Sequence, residues 1–124
     1  MGLHADATPR EVAESYWAAE EQRNVERILD HYHNDAVFNL SGQRLAGHDQ
    51  IRTYYESSGA KYPGLTVKIV HEVVDGQKAA IEWEAHLTDE AGTTVPLSGV
   101  NIIHVEDGKF REVRAYFDPT IIRD

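Results

Sequence analysis

The chain has 124 residues, 41% of them hydrophobic, no cysteine, and 21 acidic against 12 basic residues, which gives a formal net charge of −9. This length fits one domain with a core of its own, the absence of cysteine excludes a disulfide framework, and the acidic balance disfavours nucleic acid and anionic membrane surfaces as partners. No apolar run approaches the roughly 18 residues that cross a bilayer, and the N-terminus lacks a signal-peptide pattern, so we expect one soluble, cytoplasmic domain over residues 1–124.

Three helices are predicted in the first half of the chain. Thr8 and Glu11 form a capping box with proline between them, which starts a helix over residues 9–23. An asparagine cap starts a second, shorter helix over residues 24–32. The segment DAVFNLSG then reads as a short strand and turn, and residues 47–59 form a third helix that ends at a glycine.

After Pro63 the apolar residues alternate, which is typical of strands. Four long strands are predicted at about 65–74, 77–88, 94–105 and 109–117. Short turns of the type that hairpins prefer, DGQ, DEAG and EDGK, separate them. Three helices followed by an antiparallel meander indicate an α+β fold.

The second long strand contains two rows of side chains that must face opposite ways. One row is Ile81, Trp83, Ala85 and Leu87, and the other is Ala80, Glu82, Glu84 and His86. Periodicity alone predicts that the apolar row faces inward and the glutamates face water. The opposite orientation would place two carboxyl groups and an imidazole in a dry pocket.

The third long strand, which contains Val100 and Ile102 in one row and Leu97 and Asn101 in the other, has no plainly polar face. A sheet that is apolar on both faces is covered on both, and three helices can cover only one. We therefore expect a homodimer through the outer face of the sheet. A face with scattered exposed apolar residues is the alternative.

This element order, with the helix that starts G-x-x-Q-I and the final VEDGKFREVRAYFD segment, resembles the nuclear transport factor 2-like superfamily over nearly the whole chain. The branch it resembles contains SnoaL-like polyketide cyclases, ketosteroid isomerase and limonene epoxide hydrolase. The resemblance implies a cone-shaped roll, a cystatin-like α+β barrel, in which three N-terminal helices and a curved antiparallel sheet enclose one deep pocket. It is informative about fold and uninformative about reaction.

The resemblance also implies site residues, with clear departures. Tyr16 matches the isomerase tyrosine, whereas Asn39 and Asn101 stand where the isomerase has its two aspartates. An amide can donate a hydrogen bond but cannot accept a proton at neutral pH. A count without gaps back from the Gly108 turn places the arginine and the acid of the epoxide hydrolase at Glu82 and Glu84.

That count predicts that Glu82, Glu84 and His86 face the pocket as the catalytic group, and that Ile81 and Trp83 join the dimer surface. The residues expected to bind the substrate are Tyr16, Asn39, Tyr55, Leu97, Asn101 and Phe117.

The predicted function is proton transfer, without cofactor, on a mostly apolar small molecule that bears a carbonyl, hydroxyl or epoxide. The reaction would be of isomerase, cyclase, dehydratase or epoxide hydrolase type, and the ligand a steroid, polyketide or terpenoid. The alternative is a binding module that keeps the pocket without catalysis, and a purely structural dimeric partner is a third interpretation. No metal site is expected, because His31 and His33 have a spacing that points them apart.

Overall fold

The computed structural model describes residues 4–118 and 120–121, in which three helices pack on one face of a curved six-stranded sheet. Residues 1–3, 119 and 122–124 of the predicted domain lie outside the described residues. The elements in chain order are α1 (Pro9–Glu21), α2 (Val25–Leu29), β1 (Tyr32–Leu40), β2 (Gln43–Ala46), α3 (Gly47–Lys61), β3 (Gly64–Asp75), β4 (Lys78–Thr88), β5 (Thr94–Glu106) and β6 (Lys109–Phe117). The predicted α+β fold is confirmed.

The strand order in the sheet is β2-β1-β6-β5-β4-β3. The meander of β3 to β6 is antiparallel as predicted. Two features differ from the prediction. The short strand β2 follows the predicted turn and was not predicted, and β1 pairs with β6 in parallel. The first predicted strand thus extends the meander at β6, which brings Phe38 and Leu40 to the cavity that the helices cover.

The helix α1 begins as its sequence predicts. The Thr8 hydroxyl accepts a hydrogen bond from the Glu11 N–H at 3.1 Å, and the Glu11 carboxylate accepts one from the Thr8 N–H at 2.8 Å. This reciprocal pair satisfies two N–H groups at the helix start. The helix ends at Glu21, slightly before the predicted end, and the short α2 ends at Leu29 rather than at residue 32.

Contacts to the edge strand β3 fix α1 across the sheet. Glu21 accepts a hydrogen bond from the Val67 N–H at 2.7 Å, and Arg10 forms an ion pair with Glu72. The Val67 N–H is otherwise an unpaired edge group, so this contact also protects the edge of the sheet. The buried face of α1 carries Val12, Tyr16 and Ala19 toward the sheet.

None of the helices in the described part of the chain is long and apolar enough to cross a membrane.

Candidate functional site: a cavity lined by aromatic residues

A cavity that opens to solvent lies between the inner face of the sheet and the helices α1 and α3. Its walls are largely aromatic, with Trp17 from α1, Tyr54 from α3 and Phe38, Trp83 and Phe117 from the strands. A concave site with apolar walls and a few polar groups is the usual form of a small-molecule site. The polar side chains in the wall decide which chemistry the cavity can perform.

Glu20 is the ionisable acid of the cavity wall. It follows Tyr16 by four residues on α1, so both side chains lie on the same face of the helix, and the Tyr16 hydroxyl donates to Glu20 Oε1 at 3.0 Å. Desolvation by the surrounding protein raises the pKa of Glu20 from 4.5 to about 7, against the opposing effects of the Arg23 charge and the Tyr16 hydrogen bond. Both protonation states of Glu20 are consequently populated near neutral pH.

Three buried tyrosine hydroxyls form a chain behind Glu20. The Tyr16 and Tyr55 hydroxyl oxygens are 2.5 Å apart, and those of Tyr55 and Tyr32 are 2.8 Å apart. Because Tyr16 donates to the carboxylate, it accepts from Tyr55, which in turn accepts from Tyr32. Burial raises the pKa of all three hydroxyls, so they stay neutral and act as oriented donors.

Trp83 and Asn101 form a second polar feature in the wall. The Trp83 indole Nε1–H donates to Asn101 Oδ1 at 2.9 Å, and this contact fixes the orientation of the Asn101 amide. The amide oxygen is occupied by the indole, so the Nδ2 hydrogens are what Asn101 can offer to a ligand oxygen. Asn101 can hold an oxygen in place but cannot take up a proton.

Gly99 makes the position of the Trp83 indole possible. Gly99 is the direct cross-strand partner of Trp83, and a Cβ at this position would lie 2.7 Å from Trp83 Cζ2 and 2.4 Å from the Tyr116 carbonyl oxygen. No side chain fits in that space, so the indole lies across β5 and closes this side of the cavity.

The orientation that the resemblance implies for β4 is wrong, and the orientation that periodicity predicts is the one observed. Ile81 and Trp83 are buried, at 0% and 7% exposure, whereas Glu82, Glu84 and His86 are exposed on the outer face of the sheet. Glu84 and His86 line an open groove there, apart from Glu20. The apolar row gains free energy by burial, and the cost of desolvating two carboxylates opposes the reverse arrangement.

The pairing of β4 with β5 explains why the predicted catalytic residues of β4 and the predicted binding residues of β5 could not line the same pocket. Asn101 pairs directly with Ile81, and Leu97 pairs with Ala85, so the face that contains Asn101 and Leu97 must contain the apolar row of β4. Ile81 and Trp83 therefore cannot belong to a dimer surface either.

The other predicted residues divide into two groups. Tyr16, Leu97, Asn101 and Phe117 line the cavity, and their contact with a ligand stays a prediction. Asn39 and Tyr55 are placed elsewhere. Asn39 alternates with Phe38 and Leu40, which line the cavity, and so it faces the other side of β1. Tyr55 is buried behind Tyr16, and its neighbour Tyr54 is the tyrosine of α3 that lines the wall.

Sequence reasoning missed Glu20, Arg23, Tyr54 and Trp83 as cavity residues. The signal for Glu20 was present, because it lies on the apolar stripe of α1 four residues after Tyr16. A carboxyl group on the helix stripe that packs against the sheet is a better indicator of a cavity residue than a carboxyl group in an alternating strand. In such a strand the carboxyl group can lie on the face that is open to solvent. Among the described residues, no group of three potential metal-binding side chains lies close together.

Three helices on one face of a curved, mostly antiparallel sheet match the nuclear transport factor 2-like α+β fold. Residues 13–113 match the family model of the SnoaL-like domain, so the chain belongs to that family. No curated protein sequence matches the chain.

Solved structures share the fold at low sequence identity. TerC, co-crystallized with polyporic acid, has a TM-score of 0.79 at 20% identity, over 92% of this chain and 94% of its own. A LEH-like epoxide hydrolase from M. tuberculosis has a TM-score of 0.77 at 21% identity, over 90% and 84% of the two chains. A protein assigned as a SnoaL-like polyketide cyclase, from Jannaschia sp. CCS1, has a TM-score of 0.78 at 14% identity, over 90% and 86%. At these identities the likeness concerns the fold alone.

Proposed function

We propose that the protein is a cofactor-free proton-transfer enzyme in which Glu20 is the acid and base. The observation that carries the proposal is a carboxyl group with a pKa of about 7 in an aromatic cavity, held by the Tyr16 hydroxyl. A general acid or base works best when its pKa lies near the working pH, and enzymes raise the pKa of a glutamate to this range by burial. Glu20 takes the role that Glu84 had in the sequence-based prediction.

The proposed substrate is a mostly apolar molecule that bears a carbonyl, hydroxyl or epoxide. The ionised Glu20 removes a proton beside such a group, and the protonated form returns it to another atom of the same molecule. The Asn101 amide donates to the substrate oxygen where negative charge develops. Isomerisation, cyclisation, dehydration and epoxide opening all fit this scheme, and steroids, polyketides and terpenoids fit the apolar wall. The structural neighbours include a protein assigned as a polyketide cyclase and an epoxide hydrolase, which is consistent with this range.

The second candidate function is ligand binding without catalysis. It is favoured by Asn101, an amide at the position where the resemblance implies a catalytic acid. A protein that only binds an apolar ligand, however, has no need of a desolvated carboxyl group such as that of the half-buried Glu20, which costs free energy whenever it is ionised. The two functions therefore differ in what Glu20 does once a ligand is present.

Hydrogen exchange in deuterated water tests the proposal with 2-tetralone as the probe, a small ring ketone with exchangeable protons beside its carbonyl. The wild-type protein should accelerate deuterium incorporation, followed by proton NMR, and Glu20→Gln should reduce that acceleration by about 10²- to 10⁴-fold. Glu84→Gln is the matched control, because it removes a carboxylate of β4 that faces away from the cavity, and it should exchange the ketone like the wild type.

Equal acceleration by the wild type and Glu20→Gln would exclude Glu20 as the base. Binding of the ketone with no acceleration in the wild type would favour the binding module.

A further inference from the structure

Arg23 brings a cationic group into the wall of the aromatic cavity. Its Nη2 donates to the Tyr62 carbonyl oxygen at 2.6 Å, which anchors the guanidinium to the end of α3. Its Nε is buried and has no hydrogen-bond acceptor among the described residues. A buried donor without a partner is rare and costs free energy, so the described residues leave part of the hydrogen-bonding capacity of this guanidinium unfilled.

The backbone at Arg23 supports a role for the side chain. Arg23 follows the C-cap of α1 with a φ of +54°, a left-handed conformation that glycine and asparagine adopt more readily. The stem of Arg23 packs over Gly59 of α3, where a Cβ would lie 3.6 Å from Arg23 Cδ. A long cationic side chain thus occupies a position that local backbone preferences would give to a small residue, and packing holds it at the cavity wall.

The surroundings of Arg23 define the chemistry that it can recognise. The hydroxyl-bearing side chains Tyr54 and Ser58 of α3 line the same cavity, and the rest of the wall is mainly apolar. A guanidinium with a free N–H binds carboxylates and other anionic oxygens through charge-assisted hydrogen bonds. We propose that Arg23 selects small ring-bearing ligands that carry an anionic oxygen, such as a carboxylate, phenolate or enolate.

This inference deepens the proposed function and rests on it only in taking the cavity to be a small-molecule site. It adds the class of ligand. A ligand whose oxygen is already anionic would dock on Arg23 and place its apolar ring against Trp17 and Phe38.

An anion on Arg23 also changes the state of Glu20. The positive charge of Arg23 lowers the pKa of Glu20, and a bound anion would offset that charge and add a negative one. Glu20 would take up a proton when the ligand binds and would begin the reaction as an acid. The other groups that influence the Glu20 carboxyl are Tyr16 and Glu21 of α1, while Tyr32, Tyr54 and Tyr55 remain neutral because burial raises their pKa values.

A matched set of three probes tests this selection: 3-phenylpropionate, 3-phenylpropanamide and 3-phenylpropylamine. They share a ring and a linker and differ in the charge of the end group. Trp17 and Trp83, the two tryptophans of the chain, both line the cavity, so intrinsic fluorescence reports binding. The wild-type protein should bind the carboxylate at least about tenfold more tightly than the amide or the amine.

The matched variants are Arg23→Met and Arg27→Met. Each substitution removes one positive charge, so the net charge changes equally. Arg27 contacts the exposed Gln22 and does not line the cavity, so only Arg23→Met removes a charge from the cavity wall. Arg23→Met should abolish the preference for the carboxylate, and Arg27→Met should keep it. Equal binding of all three probes by the wild type, tighter binding of the amine, or no binding of the carboxylate at millimolar concentration would each overturn the inference, and none of these needs a variant that folds.

Glu20→Gln separates this inference from the proposed function. The variant should keep or strengthen the preference for the carboxylate, because the anion then meets no competing carboxylate in the cavity. If it retains that preference and also exchanges 2-tetralone like the wild type, the proposed function fails and the selection by Arg23 stands. Loss of the preference in Glu20→Gln would contradict the role of Arg23.

Discussion

Replacing Glu20 by Gln should make stability depend less on pH. Glutamine keeps the shape of the side chain and can still accept the hydrogen bond from Tyr16. The pKa of Glu20 rises from 4.5 to about 7 in the folded protein, and at about 1.4 kcal/mol per unit this rise corresponds to at most on the order of 3 kcal/mol. Because the folded-state pKa is the higher one, the native protein binds this proton more tightly than the unfolded chain.

The direction in which the free energy of unfolding changes with pH follows from this difference between the folded-state and unfolded-state pKa. The stabilising contribution of the proton is fully present below about pH 4.5 and is lost as the pH rises through about 7. The free energy of unfolding of the wild type, relative to that of Glu20→Gln, should therefore fall over this interval by up to about 3 kcal/mol and stay constant above it.

Urea unfolding at a series of pH values between about 4.5 and 8.5 measures this difference. Glu90→Gln, in the exposed turn between β4 and β5, is the control that removes one negative charge without affecting the cavity. It should follow the wild type at every pH. If the curves of the wild type and Glu20→Gln are parallel, Glu20 is not a desolvated acid in the folded protein and the reasoning is refuted.

Three further changes test the wall of the cavity and the outer face of the sheet. Tyr16→Phe removes the hydrogen bond that lowers the pKa of Glu20, so the Glu20 titration should move to higher pH in the same urea experiment; an unchanged midpoint would contradict the contact. Gly99→Ala forces a methyl group against Trp83 and should cost about 1–3 kcal/mol of stability with a change in tryptophan fluorescence, whereas an unaltered unfolding curve would mean that the indole does not lie over β5. We also propose a homodimer through the outer face, where Ile102 is 43% exposed; light scattering should find a dimer that Ile102→Asp converts to monomer, and a dimer that survives this change would place the interface elsewhere.

Local signals in the sequence were sufficient to predict the helices and the meander. The capping box at Thr8 and Glu11 depends only on residues close in the chain, and it forms as predicted. The turn between β5 and β6 is equally local, since Asp107 and Gly108 both have positive φ, as short hairpin turns require. The parallel pairing of β1 with β6 joins residues more than seventy positions apart, and no local pattern specifies it.

Periodicity predicted the orientation of β4 correctly, and the residue count based on the resemblance predicted it wrongly. The alternation in β4 of Ile81 and Trp83 with Glu82 and Glu84 indicates the observed orientation, because burying the apolar row is favourable. The opposite prediction came from a residue count that starts at the turn after β5. That count crosses an irregularity in the pairing of β5 with β6 at His104/Val105, and a difference of one residue reverses which face a strand presents.

The candidate site was harder to predict because it is assembled from separate elements. Glu20, Arg23 and Tyr54 come from the end of α1, the residue that follows its C-cap, and the middle of α3. Their proximity depends on how the helices cross the sheet. The sequence could indicate that Glu20 lies on an apolar stripe, but the desolvation that raises its pKa exists only when Trp17, Tyr54 and the strands surround it.

Titration of the side-chain carboxyl carbons by carbon-13 NMR tests the central claim most directly. In protein labelled at the glutamate carboxyl groups, one signal should titrate near pH 7 and should be missing from Glu20→Gln. If the signal assigned to Glu20 instead titrates near 4.5, or the near-neutral signal persists in the variant, Glu20 is not the acid and base of this cavity.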